Sequence, residues 1–159
     1  MSRQSPSTVR HPISKKARFA IVASRFNGEI VDALLTGCVR RLEELGASPG
    51  QIETHRVPGA FELPLAAKVL AETRRFAALI CLGAVIRGDT PHFDLVAGEA
   101  ARGIQMVSIS LSVPVIFGVL ATDTEEQARQ RAGGSHGNAG ERAADAAVEM
   151  ASLLAKVRK

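Results

Sequence analysis

Apolar positions along the chain switch repeatedly between two periods. Arg18-Phe19-Ala20-Ile21-Val22-Ala23 is a short continuous apolar run entering the polar segment Ser24 to Gly28, the pattern of a buried strand running into a loop. Ile30, Leu34, Leu35, Cys38, Leu42 and Leu45 then recur at helical spacing, and Gly46 follows as a helix C-terminal cap. Ile52 to Val57 alternates and stops at Pro58-Gly59, predicting a second strand. Leu63 to Thr73 is again helical, through Leu65, Val69 and Leu70. Ala77 to Val85 is nearly all apolar, as expected of a central parallel strand covered on both faces.

The pattern then repeats. Residues 86–91 break the run, and a helix is predicted from about Pro91 to Ser110, with proline at its start where it is tolerated. Val113 to Leu120 reads as a fourth strand. Thr122 or Thr124 can cap the next helix, whose first-turn glutamates favour its positive end. Gly133-Gly134-Ser135-His136-Gly137 interrupts that helix, and Asn138 to Lys156 resumes it. Four strand–helix alternations predict an α/β domain over 17–159: a three-layer α/β/α sandwich with a four-stranded parallel sheet. Residues 1–16, rich in Ser, Pro and basic side chains, read as a disordered arm.

Composition narrows the function. With no Trp or Tyr and six Phe, an RNA-recognition sheet or an aromatic single-strand platform is disfavoured. The net charge of +4 is concentrated at the two ends of the chain, so it argues weakly for nucleic acid and equally well for an anionic small substrate. Cys38 and Cys81 both sit in apolar contexts and read as two buried thiols, which suits a reducing, cytoplasmic setting. The first sixteen residues have no apolar core of a signal peptide, and no apolar run approaches the ~20 residues of a membrane helix.

In open α/β sheets ligands bind beyond the C-terminal ends of the strands. That rule selects four segments: 24–28, 58–62, 86–92 and 117–122. Taken singly, their residues have plain readings. Phe26 can be packing, Glu62 an acid favoured near a helix N-terminus, and His92 a capping or surface residue. Together they form a coherent set. Gly88-Asp89-Thr90 before a helix offers free N–H groups and a hydroxyl to a phosphate. Phe26 can stack on a flat ring. Glu62 can accept hydrogen bonds from sugar hydroxyls, and the imidazole of His92 can move protons. There is no Cys/His cluster with metal spacing, no GxGxxG or Walker A motif, and no serine nucleophile elbow.

Several blocks together are specific: Arg25-Phe26-Asn27, residues 57–64 (VPGAFELP), residues 83–94 (GAVIRGDTPHFD), residues 114–120 (PVIFGVL), and Glu126-Gln127-Ala128 through Arg131-Ala132-Gly133. In order and spacing they closely resemble the lumazine synthase family, over about residues 18–155. The resemblance implies a flavodoxin-like fold and the penultimate step of riboflavin synthesis. In that step 5-amino-6-(D-ribitylamino)uracil and 3,4-dihydroxy-2-butanone 4-phosphate condense to 6,7-dimethyl-8-ribityllumazine, phosphate and water, with no metal or redox cofactor.

Residue by residue, the resemblance implies that Phe26 stacks on the pyrimidine and that Ala60, Phe61 and Glu62 meet the ribityl chain and ring. Ala84, Val85 and Ile86 line the pyrimidine pocket. Asp89 and Thr90 hold the phosphate with Arg131, His92 transfers protons, and Phe117 comes from a neighbouring subunit of a pentamer. It also implies self-association into pentamers, with a 60-subunit shell expected from the compact glycine-rich segment 131–138, and riboflavin synthase as a candidate partner. The chain departs from the family where Gly137-Asn138-Ala139-Gly140 replaces Gly-Asn-Lys-Gly and where Ser135 stands at a common lysine position. That departure keeps two other readings open: a shell or scaffold protein with weak catalysis, and a flavin or lumazine carrier. The intact His92 and Arg131 speak against a carrier.

Overall fold

The computed structural model describes residues 7 and 9–159. In chain order its elements are β1 (Phe19–Ser24), α1 (Gly28–Glu44), β2 (Ile52–Val57), α2 (Leu63–Glu72), β3 (Ala78–Ile86), α3 (His92–Leu111), β4 (Val115–Thr122), α4 (Glu125–Arg131), β5 (Ala132–Gly134), β6 (Gly137–Asn138) and α5 (Ala139–Val157). The main sheet is parallel throughout, in the order β2-β1-β3-β4. This is the predicted α/β/α sandwich with flavodoxin-like strand order.

The two faces of the sheet carry separate cores. Phe19, Ile21 and Ala23 of β1 point to one face and pack with Ile30, Leu34 and Leu42 of α1 and with Ala144 and Val148 of α5. Ala20 and Val22 point to the other face and pack with Leu63 and Ala67 of α2 and with Ala100 and Ile104 of α3. This alternation follows from the period of two along a strand. It also separates the cysteines: Cys38 lies in the first core and Cys81 in the second, so both are free, and burial pushes each thiol up to about 12.

α1 and α5 approach closely because glycine stands at the contact. A Cβ on Gly140 would lie 2.0 Å from the Leu34 carbonyl oxygen, and one on Gly37 would lie 2.4 Å from Asn138 Nδ2. Asn138 is buried there, donating to the Ala33 carbonyl (3.1 Å) and accepting from Gly140 N (2.8 Å) as the N-cap of α5.

Two boundaries differ from the sequence reading. β4 begins at Val115 rather than Val113, because α3 ends in a left-handed Ser112 and the Ser108 hydroxyl donates to the Val113 carbonyl, drawing 112–114 into a turn. The glycine-rich segment is not a mere break in one helix. It forms an antiparallel ribbon, β5–β6, with Gly133 and Gly137 at positive φ (110° and 73°), a conformation glycine adopts without a Cβ penalty. α5 is thus a separate element. Of the expected arm, residues 1–6 and 8 lie outside the described residues. Its last part is tied down: Ile13 packs against the first core, and Gln51 Nε2 donates to the carbonyls of Ser14 (3.0 Å) and Ala17 (2.7 Å).

Candidate active site

The topology itself places the site. α1 carries the chain from β1 outward to β2, and α2 carries it back across β1 to β3, so the direction of strand succession reverses between β1 and β3. At such a switch point the loops leaving adjacent strands diverge and open a crevice. A cavity of about 580 Å³ lies there, lined by the ends of β1 and β3, the 59–62 turn and the start of α3.

The loop after β1 is clamped on both sides. Arg25 N and Phe26 N donate to the carbonyls of Val57 (2.8 Å) and Pro58 (3.0 Å). Asn27 is left-handed (φ 54°), and its Nδ2 donates to the Ala84 carbonyl at 2.8 Å. Fixed in this way, the Phe26 ring remains 73% exposed at the cavity mouth. The ring is exposed rather than packed in a core and borders the cavity, so its face is open to a flat ligand.

The turn after β2 is closed by Glu62, whose Oε2 accepts from Gly59 N at 2.9 Å. Glu62 also stands directly before α2, as the plain reading of an acid favoured near a helix N-terminus has it, and its Oε1 has no partner among the described residues. Ala60 is buried at the cavity wall, whereas Phe61 is exposed at its rim. On β3, Ala84 is buried and Val85 and Ile86 are half-buried along the wall. Beyond the strand, Gly88, Thr90 and His92 line the cavity, and His92 N donates to Thr90 Oγ1 at 3.4 Å.

Nine of the twelve residues expected at the site thus share one cavity: Phe26, Ala60, Phe61, Glu62, Ala84, Val85, Ile86, Thr90 and His92. Three do not line it. Asp89 is exposed on the same loop, between two residues that do. Phe117 is not in a loop at all. It lies inside β4, opposite Cys81 in register, on the edge strand of the sheet, and is exposed. Arg131 ends α4, with its Nη1 donating to the Gln127 carbonyl at 3.0 Å. Asn27, Gly59, Gly88, Phe93, Leu95 and Val96 complete the lining; of these only Gly88 was given a role of its own from sequence. Asn27 has a signal in hindsight, since asparagine tolerates the left-handed conformation that a tight strand-to-helix turn requires.

The charge balance of the lining is one-sided. Among the described residues no lysine or arginine lines the cavity; Glu62 is its one carboxylate and His92 its one imidazole. A phosphate dianion bound here therefore needs a cation from outside this cavity's own lining.

The model of the 6,7-dimethyl-8-ribityllumazine synthase family matches residues 16–155. Among similar proteins, the 6,7-dimethyl-8-ribityllumazine synthase of Syntrophus aciditrophicus (strain SB) is 52% identical over 145 residues, covering 91% of this chain and 94% of its own. That of Desulfosudis oleivorans (strain DSM 6200 / JCM 39069 / Hxd3) is 51% identical over 155 residues, covering 97% and 99%. That of Desulfotalea psychrophila (strain LSv54 / DSM 12343) is 52% identical over 137 residues, covering 86% and 88%.

Proposed function

The chain belongs to the 6,7-dimethyl-8-ribityllumazine synthase family, and from that premise we propose how its own residues carry out the family's reaction. The activity is that of a transferase in riboflavin biosynthesis, joining 5-amino-6-(D-ribitylamino)uracil to 3,4-dihydroxy-2-butanone 4-phosphate and releasing 6,7-dimethyl-8-ribityllumazine, phosphate and water.

The observation that carries the assignment of roles is the cavity at the β1/β3 switch point. It has an exposed ring at its mouth, an apolar wall on β3 and a hydroxyl and imidazole at its far side. Phe26 stacks on the pyrimidine, whose edge meets the strand end formed by Ala84, Val85 and Ile86. Ala60, Phe61 and the free oxygen of Glu62 receive the ribityl chain. Asp89, Thr90 and the N–H groups before α3 receive the phosphate. The uracil amine attacks the butanone ketone, and loss of water gives an imine. Phosphate then departs, the chain tautomerises, and attack of the ribityl-bearing nitrogen on the second carbonyl closes the ring with loss of water. Each of these steps moves a proton, and His92 is the group we assign to move it. Holding two substrates in one cavity supplies a large share of the acceleration, because an encounter between two solutes becomes a unimolecular step.

The missing cation is the argument for assembly. Arg131 lies outside its own chain's cavity, and Phe117 is an exposed aromatic on an edge strand. Both have the placement expected of residues supplied to a neighbour's site. We therefore assign a pentamer as the minimum active unit, with Arg131 and Phe117 completing the adjacent cavity. The ribbon at 132–138 is short and turns tightly on its glycines, which favours pentamers joining into a closed shell of 60 subunits. Two buried free thiols suit a reducing cytoplasm, and among the described residues no helix is long and apolar enough to cross a membrane. Riboflavin synthase, which consumes the product, is the proposed partner. The test is product formation from the two purified substrates, followed by absorbance. No product above the uncatalysed rate defeats the reading and leaves a shell protein or carrier in its place.

A further inference from the structure

The segment that carries Thr90 and His92 is poorly supported by packing. Gly88, Asp89, Thr90 and Pro91 are all exposed, and a Cβ added at Gly88 would meet nothing within 4 Å. Something other than burial must hold this segment in one place. Arg87, the first residue past β3, touches all of its surroundings. Its Nε lies 2.9 Å from Asp123 Oδ1, just beyond β4, and its Nη1 lies 3.5 Å from Asp94 Oδ2, in the first turn of α3. Its guanidinium carbon sits 4.2 Å from the centre of the Phe93 ring, which itself lines the cavity. Its backbone N donates to the Thr122 carbonyl at 2.9 Å.

We infer that Arg87 is a positioning residue for the reaction: its guanidinium staples β3, the β4 end and the first turn of α3 together, and thereby fixes where Thr90 and His92 stand relative to Ala84, Val85 and Ile86. The inference rests on the roles proposed above for Thr90 and His92. A planar, five-donor group can reach two carboxylates and lie on a ring face at once, whereas an ammonium cannot match all three contacts. The ion pairs are open to solvent, with the side chains of Arg87, Asp94 and Asp123 44%, 64% and 68% exposed. Such pairs add little to stability. Their consequence is orientation, to which a proton-transfer site is sensitive at well under an ångström.

The test is steady-state kinetics on the assembled enzyme carrying Arg87→Gln, Arg87→Lys, Asp94→Asn, or Arg87→Gln with Asp94→Asn, with thermal unfolding and light scattering alongside. Arg87→Gln is expected to lower kcat roughly tenfold, the scale of a sub-ångström misplacement. KM for the aminouracil should stay within about twofold, because its wall belongs to a buried strand, and particle size and melting temperature should not move. Arg87→Lys should recover part of the loss, and the double variant should be no slower than Arg87→Gln, as groups acting as one unit are non-additive. Undiminished kcat in Arg87→Gln overturns the inference. So does a loss matched by a fall in melting temperature or particle size, or losses that add in the double variant. A wild type that forms no product defeats the functional reading instead, and is distinguished from a staple that fails in an active enzyme.

Discussion

Asn27 Nδ2 lies 2.8 Å from the carbonyl oxygen of Ala84, and this one bond joins the loop bearing the exposed Phe26 to the strand that forms the opposite wall of the cavity. Two residues 57 apart in sequence are thereby held in register across the switch point. Asn27 also has a left-handed backbone and is the N-cap of α1.

The clamp can be separated from the backbone conformation. Asn27→Gly keeps the left-handed turn and deletes the bond, whereas Asn27→Ala deletes the bond and strains the turn. Asn27→Gly should raise KM for the aminouracil several-fold with a modest loss of stability, and Asn27→Ala should cost about 1 kcal/mol more in urea unfolding. Wild-type stability and wild-type KM in both variants would show that neither the bond nor the turn matters to the ring.

His92 is exposed at the start of α3 and its side chain has no hydrogen-bond partner among the described residues, so its removal should leave the fold intact. His92→Ala is expected to reduce turnover by roughly 10²-fold or less, since positioning of the two substrates persists. Single-turnover rates with both substrates saturating measure this. Unchanged turnover removes His92 from the proton transfers.

Most of this architecture was legible in the chain. The alternation of apolar periods set the strands and helices, and three of the four segments selected at the strand ends supply ten of the residues that line the cavity, while 117–122 supplies none. What escaped the reading is physical. The turn formed by Ser112 and the Ser108 hydroxyl takes up two residues that look like strand, because Val113 and Pro114 are apolar without being paired in β4. The β5–β6 ribbon is too short and too rich in glycine to leave a period of two. Phe117 lies in the strand read over Val113–Leu120 but was also counted in the strand-end segment 117–122; the β3–β4 register carries the strand on to Thr122 and so leaves Phe117 in mid-strand. Asn27 acts through one bond across distant segments and Arg87 through a set of contacts to Asp94, Asp123 and Phe93, which no periodicity records.

Asn138 and Gly140 make a stability prediction. Gly140→Ala would drive a Cβ into the Leu34 carbonyl, and backbone cannot step aside as a flexible side chain can. A loss of about 2–3 kcal/mol is expected, at the upper end of overpacking costs. Asn138→Ala removes a buried cap that serves two N–H groups, leaving them without that partner, and should cost about 2 kcal/mol. Denaturant midpoints check both. A change below about 0.5 kcal/mol in Gly140→Ala would mean that α1 and α5 separate easily.

Arg131 gives a test of the shared site. Arg131→Ala should raise KM for the butanone phosphate far more than KM for the aminouracil, and Ala139→Lys should lower the former if the absent lysine weakens phosphate binding. A stronger prediction follows if Arg131 serves a neighbour. His92→Ala and Arg131→Ala chains, each impaired alone, should regain activity when unfolded together and reassembled, because some interfaces then pair an intact His92 with an intact Arg131. Absence of recovery in verified mixed assemblies would place both residues in the same chain's site or outside it.

Assembly decides how much of the enzyme a single chain represents. The cavity lacks a cation among its described lining residues, so an isolated protomer should bind the butanone phosphate weakly and turn over slowly. The exposed apolar side chains also argue for burial between copies: Leu65 and Val69 on α2, Leu95, Met106 and Ile109 on α3, and Phe117 on β4 are all more than 45% exposed. Exposed apolar surface of this extent marks interaction sites in soluble proteins. In the proposed assembly the step from pentamer to shell rests on the ribbon, where Gly133 and Gly137 have positive φ and permit a tight reversal. Light scattering at micromolar protein and neutral pH should therefore find a species of 60 subunits. Gly137→Val, which places a branched side chain at φ 73°, should shift the population toward free pentamers while each pentamer stays active. A wild type found only near five subunits would refute the shell, and fully active monomers would refute the shared site as well.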